Sequence, residues 1–170
     1  TLMRSIAVAP DGTAYVSDNQ AIRRIDTAGI VTTVAGVEGT QGSSDGIGTA
    51  ARLTYPDGLS VAPDGSIYFV EQVLNRVRRL ETNGTVTTVV GTGSPVALQG
   101  IARVAAAPDG NLYIKTSTEL IRMTAGGGIL SRATVSGLSS TETMVVTASG
   151  AVLMSDSDAI YRIDVSPVQT

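Results

Sequence analysis

Cysteine, histidine and tryptophan are all missing from this chain of 170 residues, and each gap closes off a kind of chemistry. Without cysteine there is no disulfide framework, no thiolate nucleophile and no Cys-ligated zinc. Without histidine the commonest general base and the commonest metal ligand disappear together. Lysine is almost absent as well: Lys115 is the sole lysine among 12 cationic residues, set against 15 acidic ones for a net charge of −3. That balance supplies no clustered basic surface, so nucleic acid is not expected as a partner. No apolar run approaches the ~20 residues that span a bilayer, so no membrane insertion is expected. The opening TLMRSIAV has neither the charged nor the apolar region of a signal peptide.

What remains is strand and turn material. Residues 59–91 hold four strand-sized runs in succession, at 59–62, 67–70, 77–80 and 85–90. The first pair is joined by Pro63-Asp64-Gly65, where proline fixes φ, aspartate bonds back to its own backbone and glycine accepts a positive φ. The run Ile67-Tyr68-Phe69-Val70 is β-branched and aromatic without alternation, as expected of a strand covered on both faces. The rest of the chain repeats this unit. Residues 5–36 carry Pro10-Asp11-Gly12 at the turn and residues 104–135 carry Pro108-Asp109-Gly110. A weaker copy begins near Met144 and carries Ala148-Ser149-Gly150. Turn-to-turn separations are 53, 45 and 40 residues, the spacing of four-stranded propeller blades.

One such unit cannot bury its apolar faces alone, and stacking against its copies does so. The sequence therefore predicts an all-β fold, a β-propeller of four-stranded antiparallel blades in a single domain over 1–170. The blades fall at about 5–36, 57–92, 102–136 and 143–170, with a long inter-blade loop over 37–56. The fourth copy stops at Ser166, where its last strand should begin. About four blades are thus expected, as part of a larger ring or of one completed by self-association. Superimposing the copies gives columns: Tyr15, Tyr68, Tyr113 and Leu153 read as packing between blades. An acidic column (Asp18, Glu71, Thr116, Asp156) and an arginine column (Arg24, Arg79, Arg122, Arg162) are expected to form ion pairs inside each blade.

The succession of Pro-Asp-Gly, Tyr-Val-x-Asp, a polar link, Ile-Arg-Arg-Ile-Asp and Gly-x-Val-Thr-Thr-Val-Ala-Gly resembles the NHL repeat, a β-propeller blade, over nearly the whole chain. The Gly-rich stretch 36–58 is similar to the connection seen in bacterial NHL proteins and in teneurin-type surface receptors. The triplet that names the family survives only as Asn75-Arg76-Val77. The resemblance implies an extracytoplasmic or cell-surface protein, and the metal-ligand histidines of propeller enzymes have nothing here to map onto.

Loops on a rigid scaffold are where binding usually resides. The candidate face carries the links between second and third strands, with Asp18, Asn19, Gln20, Glu71, Gln72, Asn75, Glu119, Asp156 and Asp158. Within the insert, Ser43-Ser44-Asp45-Gly46 offers oxygens to Ca²⁺ or forms an ordinary turn. No other cofactor is expected. Residues 50–53 suggest one helical turn that tucks Leu53 and Tyr55 against the blade edge, and the channel walls are expected to be apolar. With no catalytic constellation in view, the first reading is a non-enzymatic scaffold that recognises a protein or glycan. The alternative is a calcium-dependent hydrolase or lactonase-like propeller in which Asp18, Glu71 and Asp156 converge at the mouth of the ring.

Overall fold

The computed structural model describes residues 3–92, 94, 96–135 and 142–164. Its first sheet is β1 (Met3–Val8), β2 (Ala14–Asp18), β3 (Ala21–Ile25) and β4 (Val31–Gly36). The second joins β5 (Gly46–Ile47) to β6 (Asp57–Val61), β7 (Ile67–Glu71), β8 (Arg76–Leu80) and β9 (Thr85–Val90). The third is β10 (Arg103–Ala106), β11 (Leu112–Lys115), β12 (Glu119–Met123) and β13 (Ile129–Thr134), and the fourth β14 (Thr143–Val146), β15 (Val152–Ser155) and β16 (Ile160–Ile163). All four sheets are antiparallel and stand in a ring as propeller blades, with β1, β6, β10 and β14 innermost. The expected end of the fourth blade, at Ser166, lies outside the described residues. Among the described residues, no helix is long and apolar enough to cross a membrane.

Local chemistry makes the blades alike. In the second, the Ala62 N–H donates to the Ser66 carbonyl at 2.8 Å and the Gly65 N–H to the Ala62 carbonyl at 2.9 Å. The Asp64 carboxylate accepts from the Ser66 N–H at 2.9 Å, and Gly65 takes φ +81°, a conformation that costs a side chain. Asp11 and Asp109 repeat these bonds in the first and third blades. Between the blades lie three apolar layers. Ile22, Leu59 and Phe69 centre the first, Tyr68, Val104 and Ile114 the second, and Tyr113, Met144 and Met154 the third.

The insert departs from the expected loop. Gly46 and Ile47 pair with Val86 and Thr85 of β9, which gives the second blade a fifth strand and covers an edge that would otherwise expose unpaired backbone groups. The short helix is a 3-10 turn at Gly48–Ala50, two residues before the expected one, while Leu53 is fully buried as foreseen.

Antiparallel register also corrects the expected ion pairs. Arg79 stands opposite Tyr68 and Arg122 opposite Tyr113, near the start of the second strand, whereas the acidic column closes that strand at its other end. Arg79 therefore pairs with the turn residue Asp64 at 2.7 Å and Arg122 with Asp109 at 2.6 Å. Each guanidinium also lies about 6 Å over its tyrosine ring, at 6.0 Å and 5.9 Å. The acids meet the preceding arginine of the strand instead, Asp18 with Arg23 at 3.2 Å and Glu71 with Arg78 at 3.4 Å.

Candidate functional site at the channel mouth

Strand pairing decides which residues share an end of the channel. Met3 lies opposite Asp18, Asp57 opposite Val70, Arg103 opposite Lys115 and Thr143 opposite Ser155. The inner strands thus begin on the face that carries the links between second and third strands. There they surround a cavity of about 320 Å³ lined by Arg4, Ser5, Asp57, Arg103, Glu142 and Thr143, among others. The sequence predicts apolar channel walls, and Ile6, Leu59, Val104 and Met144 do line this cavity, as Val8, Val61, Ala106 and Val146 line the opposite end, but charged residues crown them at the mouth. The cause is that each apolar run is preceded, in its own copy, by polar residues that become the rim.

Arg103 spans this mouth. Its Nε donates to the Glu142 carbonyl of the fourth blade at 2.8 Å, and its Nη1 donates to the Ala102 carbonyl at 2.8 Å. The same Nη1 lies 3.5 Å from Asp57 Oδ2 on the second blade, with the two side chains only 16% and 18% exposed. Asp57 Oδ1 accepts from the Gly58 N–H at 2.7 Å. Gly58 sits at φ +57°, and a Cβ there would stand 3.3 Å from Arg103 Cδ, so the glycine leaves the gap that the arginine crosses. On the first blade, Ser5 Oγ accepts from the Leu59 N–H at 2.9 Å, and the Arg4 guanidinium lies 5.1 Å over the Tyr55 ring. From the first blade to the fourth the rim charges alternate in sign: Arg4, Asp57, Arg103, Glu142.

A signal for this site exists in the sequence. Six residues before each turn stand Arg4, Asp57, Ala102 and Glu142, and five before stand Ser5, Gly58, Arg103 and Thr143. The tyrosine and arginine columns hold nearly one residue type, whereas these two differ in every blade.

The side chains expected to bind are mostly bonded within the protein. Gln20 is buried and its Oε1 accepts from the Gly39 N–H at 3.0 Å. Gln72 Nε2 donates to the Ala102 carbonyl at 2.9 Å, which ties the second blade to the third. Asn75 accepts from the Ile101 N–H at 2.9 Å and donates to the Leu98 carbonyl. Glu119 meets Arg132 at 2.8 Å, and Asp156 accepts from the Asp158 and Ala159 N–H groups at 2.9 Å. Asp18 Oδ1 is sealed from solvent without a hydrogen-bond partner beside the Arg23 pair. Asn19 holds the left-handed corner of its link at φ +53°, and Asp158 is exposed.

The insert's oxygens do gather round a cation, and it is Arg78. This fully buried guanidinium donates to the Ser44 carbonyl and Asp45 Oδ1, both at 2.8 Å, and to the Arg52 carbonyl at 2.7 Å. Asp45 Oδ2 accepts from the Thr88 N–H at 3.0 Å. Burial pushes the Asp45 carboxyl up, but the bonds from Thr88 and Arg78 outweigh it and hold the group below its ordinary range. Glu71 goes the other way. Its burial outweighs the Thr54 N–H and Arg78 and keeps its carboxyl above the ordinary value. Among the described residues, no three Asp, Glu, His or Cys side chains stand together as a metal site. At the mouth, the Arg103 guanidinium beside Asp57 repels a dication, so the donor set does not fit Ca²⁺.

No family model matches the chain, and no curated protein matches it in sequence. Solved structures match it in shape. A gluconolactonase from Xanthomonas campestris aligns with a TM-score of 0.69 at 21% identity, over 95% of this chain and 58% of that one. The nidogen/laminin complex gives 0.65 at 19%, over 91% and 56%. Virginiamycin B lyase from Staphylococcus aureus gives 0.55 at 15%, over 99% and 70%. The chain is a β-propeller. It spans a little over half the length of the first two of these structures. The neighbours are propellers of several kinds, so the NHL resemblance stands at the level of the fold.

Proposed function

We propose that this chain builds the substrate-binding part of a propeller hydrolase that opens a small lactone or ester at the channel mouth. The observation that carries this reading is the rim itself, where charged residues of both signs from four different blades, Arg4, Asp57, Arg103 and Glu142, line one cavity. Cleavage of an ester by water needs a base for the water's proton and donors for the charge that develops on the carbonyl oxygen. Asp57 and Glu142 answer the first need, and Arg4 and Arg103 the second. The likeness to a gluconolactonase and a lyase supports an enzyme on this scaffold. The scaffold-only reading has less to draw on, because most of its loop-face side chains are bonded inside the protein. In this reading the blades are of the NHL kind, on the strength of the strand motifs in residues 5–92.

Acid release from five- and six-membered lactones and aryl esters, followed at constant pH, tests the proposal. Glu142→Gln and Asp57→Asn should each lower turnover about a hundredfold while the melting temperature stays within a few degrees. A purified protein that releases no acid above the uncatalysed rate, with or without added Ca²⁺, would remove the hydrolase reading.

A further inference from the structure

We infer that Arg103 sets the specificity of the mouth and that the ligand it selects carries a carboxylate flanked by hydroxyl groups. The inference deepens the hydrolase reading and rests on the mouth being its site. Arg103 is anchored before any ligand arrives: Nε and Nη1 are held by backbone carbonyls at 2.8 Å on two blades. Gly58 keeps open the space its stem crosses, since a Cβ there would come within 3.3 Å. Among the described residues nothing accepts from Nη2, and Nη2 is not one of the buried polar atoms without a partner. Nη2 is therefore not sealed from solvent, on a side chain that lines the cavity and whose ordering cost is already met by the fold.

Arg4 is a poorer anchor. It is exposed and held by its stacking on Tyr55. The rim's carboxylates narrow the choice of anion. Asp57 and Glu142 line the same cavity, and with Arg4 and Arg103 they leave the rim neutral, so a monoanionic carboxylate adds one negative charge beside them where a phosphate dianion adds two and is repelled more. Hydroxyl groups beside that carboxylate can donate to Asp57 and Glu142, which a purely apolar acid cannot do.

Such a carboxylate has two sources, the acid that lactone opening releases or a permanent group on the substrate. Calorimetric titration of D-gluconate against its uncharged amide addresses the first, and a neutral lactone against one bearing a carboxylate addresses the second. The wild-type protein should bind at least one charged member about tenfold or more tightly than its neutral counterpart. Arg103→Met should bind the members of each pair alike, with Arg103→Gln as a second variant should the first fold poorly. Equal binding of both pairs by wild type overturns the inference, as does a preference that survives in the Arg103 variants. A protein that prefers the acid yet hydrolyses nothing keeps this inference and loses the hydrolase reading. One that hydrolyses lactones with no charge preference does the reverse.

Discussion

Arg78→Met probes the contact that docks the insert. Arg78 is fully buried, and methionine keeps much of its stem while removing the charge and the donors to Ser44, Asp45, Arg52 and Glu71. Breaking a buried pair from one side costs about 3–5 kcal/mol, chiefly through the carboxylate left behind. In a domain of this size that lowers the melting temperature by roughly 10 °C. The cost should also depend on pH. Burial, the largest influence, already holds the Glu71 carboxyl above its ordinary 4.5, and loss of Arg78 removes one of the groups that pull it down. A carboxyl raised in the folded protein favours the fold fully below its unfolded pKa, and that contribution is lost as pH rises through the folded value. The variant should therefore recover part of its loss between pH 7 and pH 5, and Glu71→Gln/Arg78→Met, which keeps an acceptor for Thr54, should recover most of it at pH 7. Urea denaturation at both pH values is the assay. A cost below about 1 kcal/mol at pH 7, or one equal at both pH values, would refute the reasoning.

Two glycines with similar backbone angles should respond differently to alanine. Gly36, at φ +78°, has the Gln20 carbonyl oxygen in the place of a Cβ and Leu53 Cδ1 at 3.0 Å, while Gly29, at φ +81°, has nothing within 4 Å. Gly36→Ala should cost more than about 3 kcal/mol and Gly29→Ala about 1 kcal/mol by denaturant melts, and equal costs would show that φ alone decides. We also propose self-association through the first blade. Ala7 and Tyr15 pack toward the second blade, so alternation turns Ile6 and Val8 to the other side of the strand, where they border the channel yet stay 64% and 61% exposed. Light scattering should give a mass above the chain's 17.4 kDa, and Ile6→Lys with Val8→Lys should return it to that mass; a monomeric wild type would refute this.

The blades were legible because the turns are local. Proline, aspartate and glycine at fixed offsets dictate a hairpin within five residues, and the spacing of those hairpins dictates a blade. The ion pairs were not legible, since Arg78 and Arg79 are neighbours in sequence and register alone sends one to Glu71 and the other to Asp64. The fifth strand was hidden for a related reason. Gly46 and Ile47 carry no strand signal of their own, and the contact that fixes them joins Asp45 to Arg78, 33 residues away. At the mouth the rim residues stand directly before each apolar run, at positions whose residue type changes from blade to blade, whereas the polar links are spent on bonds within the scaffold.

Distances separate the charges that close the turns from the arginine of the rim. The pairs that close the turns are tight, with Arg79 and Asp64 at 2.7 Å and Arg122 and Asp109 at 2.6 Å, the range of a strong charge-assisted bond. At the mouth, backbone carbonyls hold Arg103 so that its Nη1 stays 3.5 Å from Asp57. The arginine is thus fixed by neutral acceptors and only loosely matched by the nearby carboxylate. A ligand that approaches it gives up little existing ion-pair energy and finds Arg103 already in place. A tighter pair with Asp57 would stabilise the empty ring more, at the expense of the charge that makes the mouth able to bind.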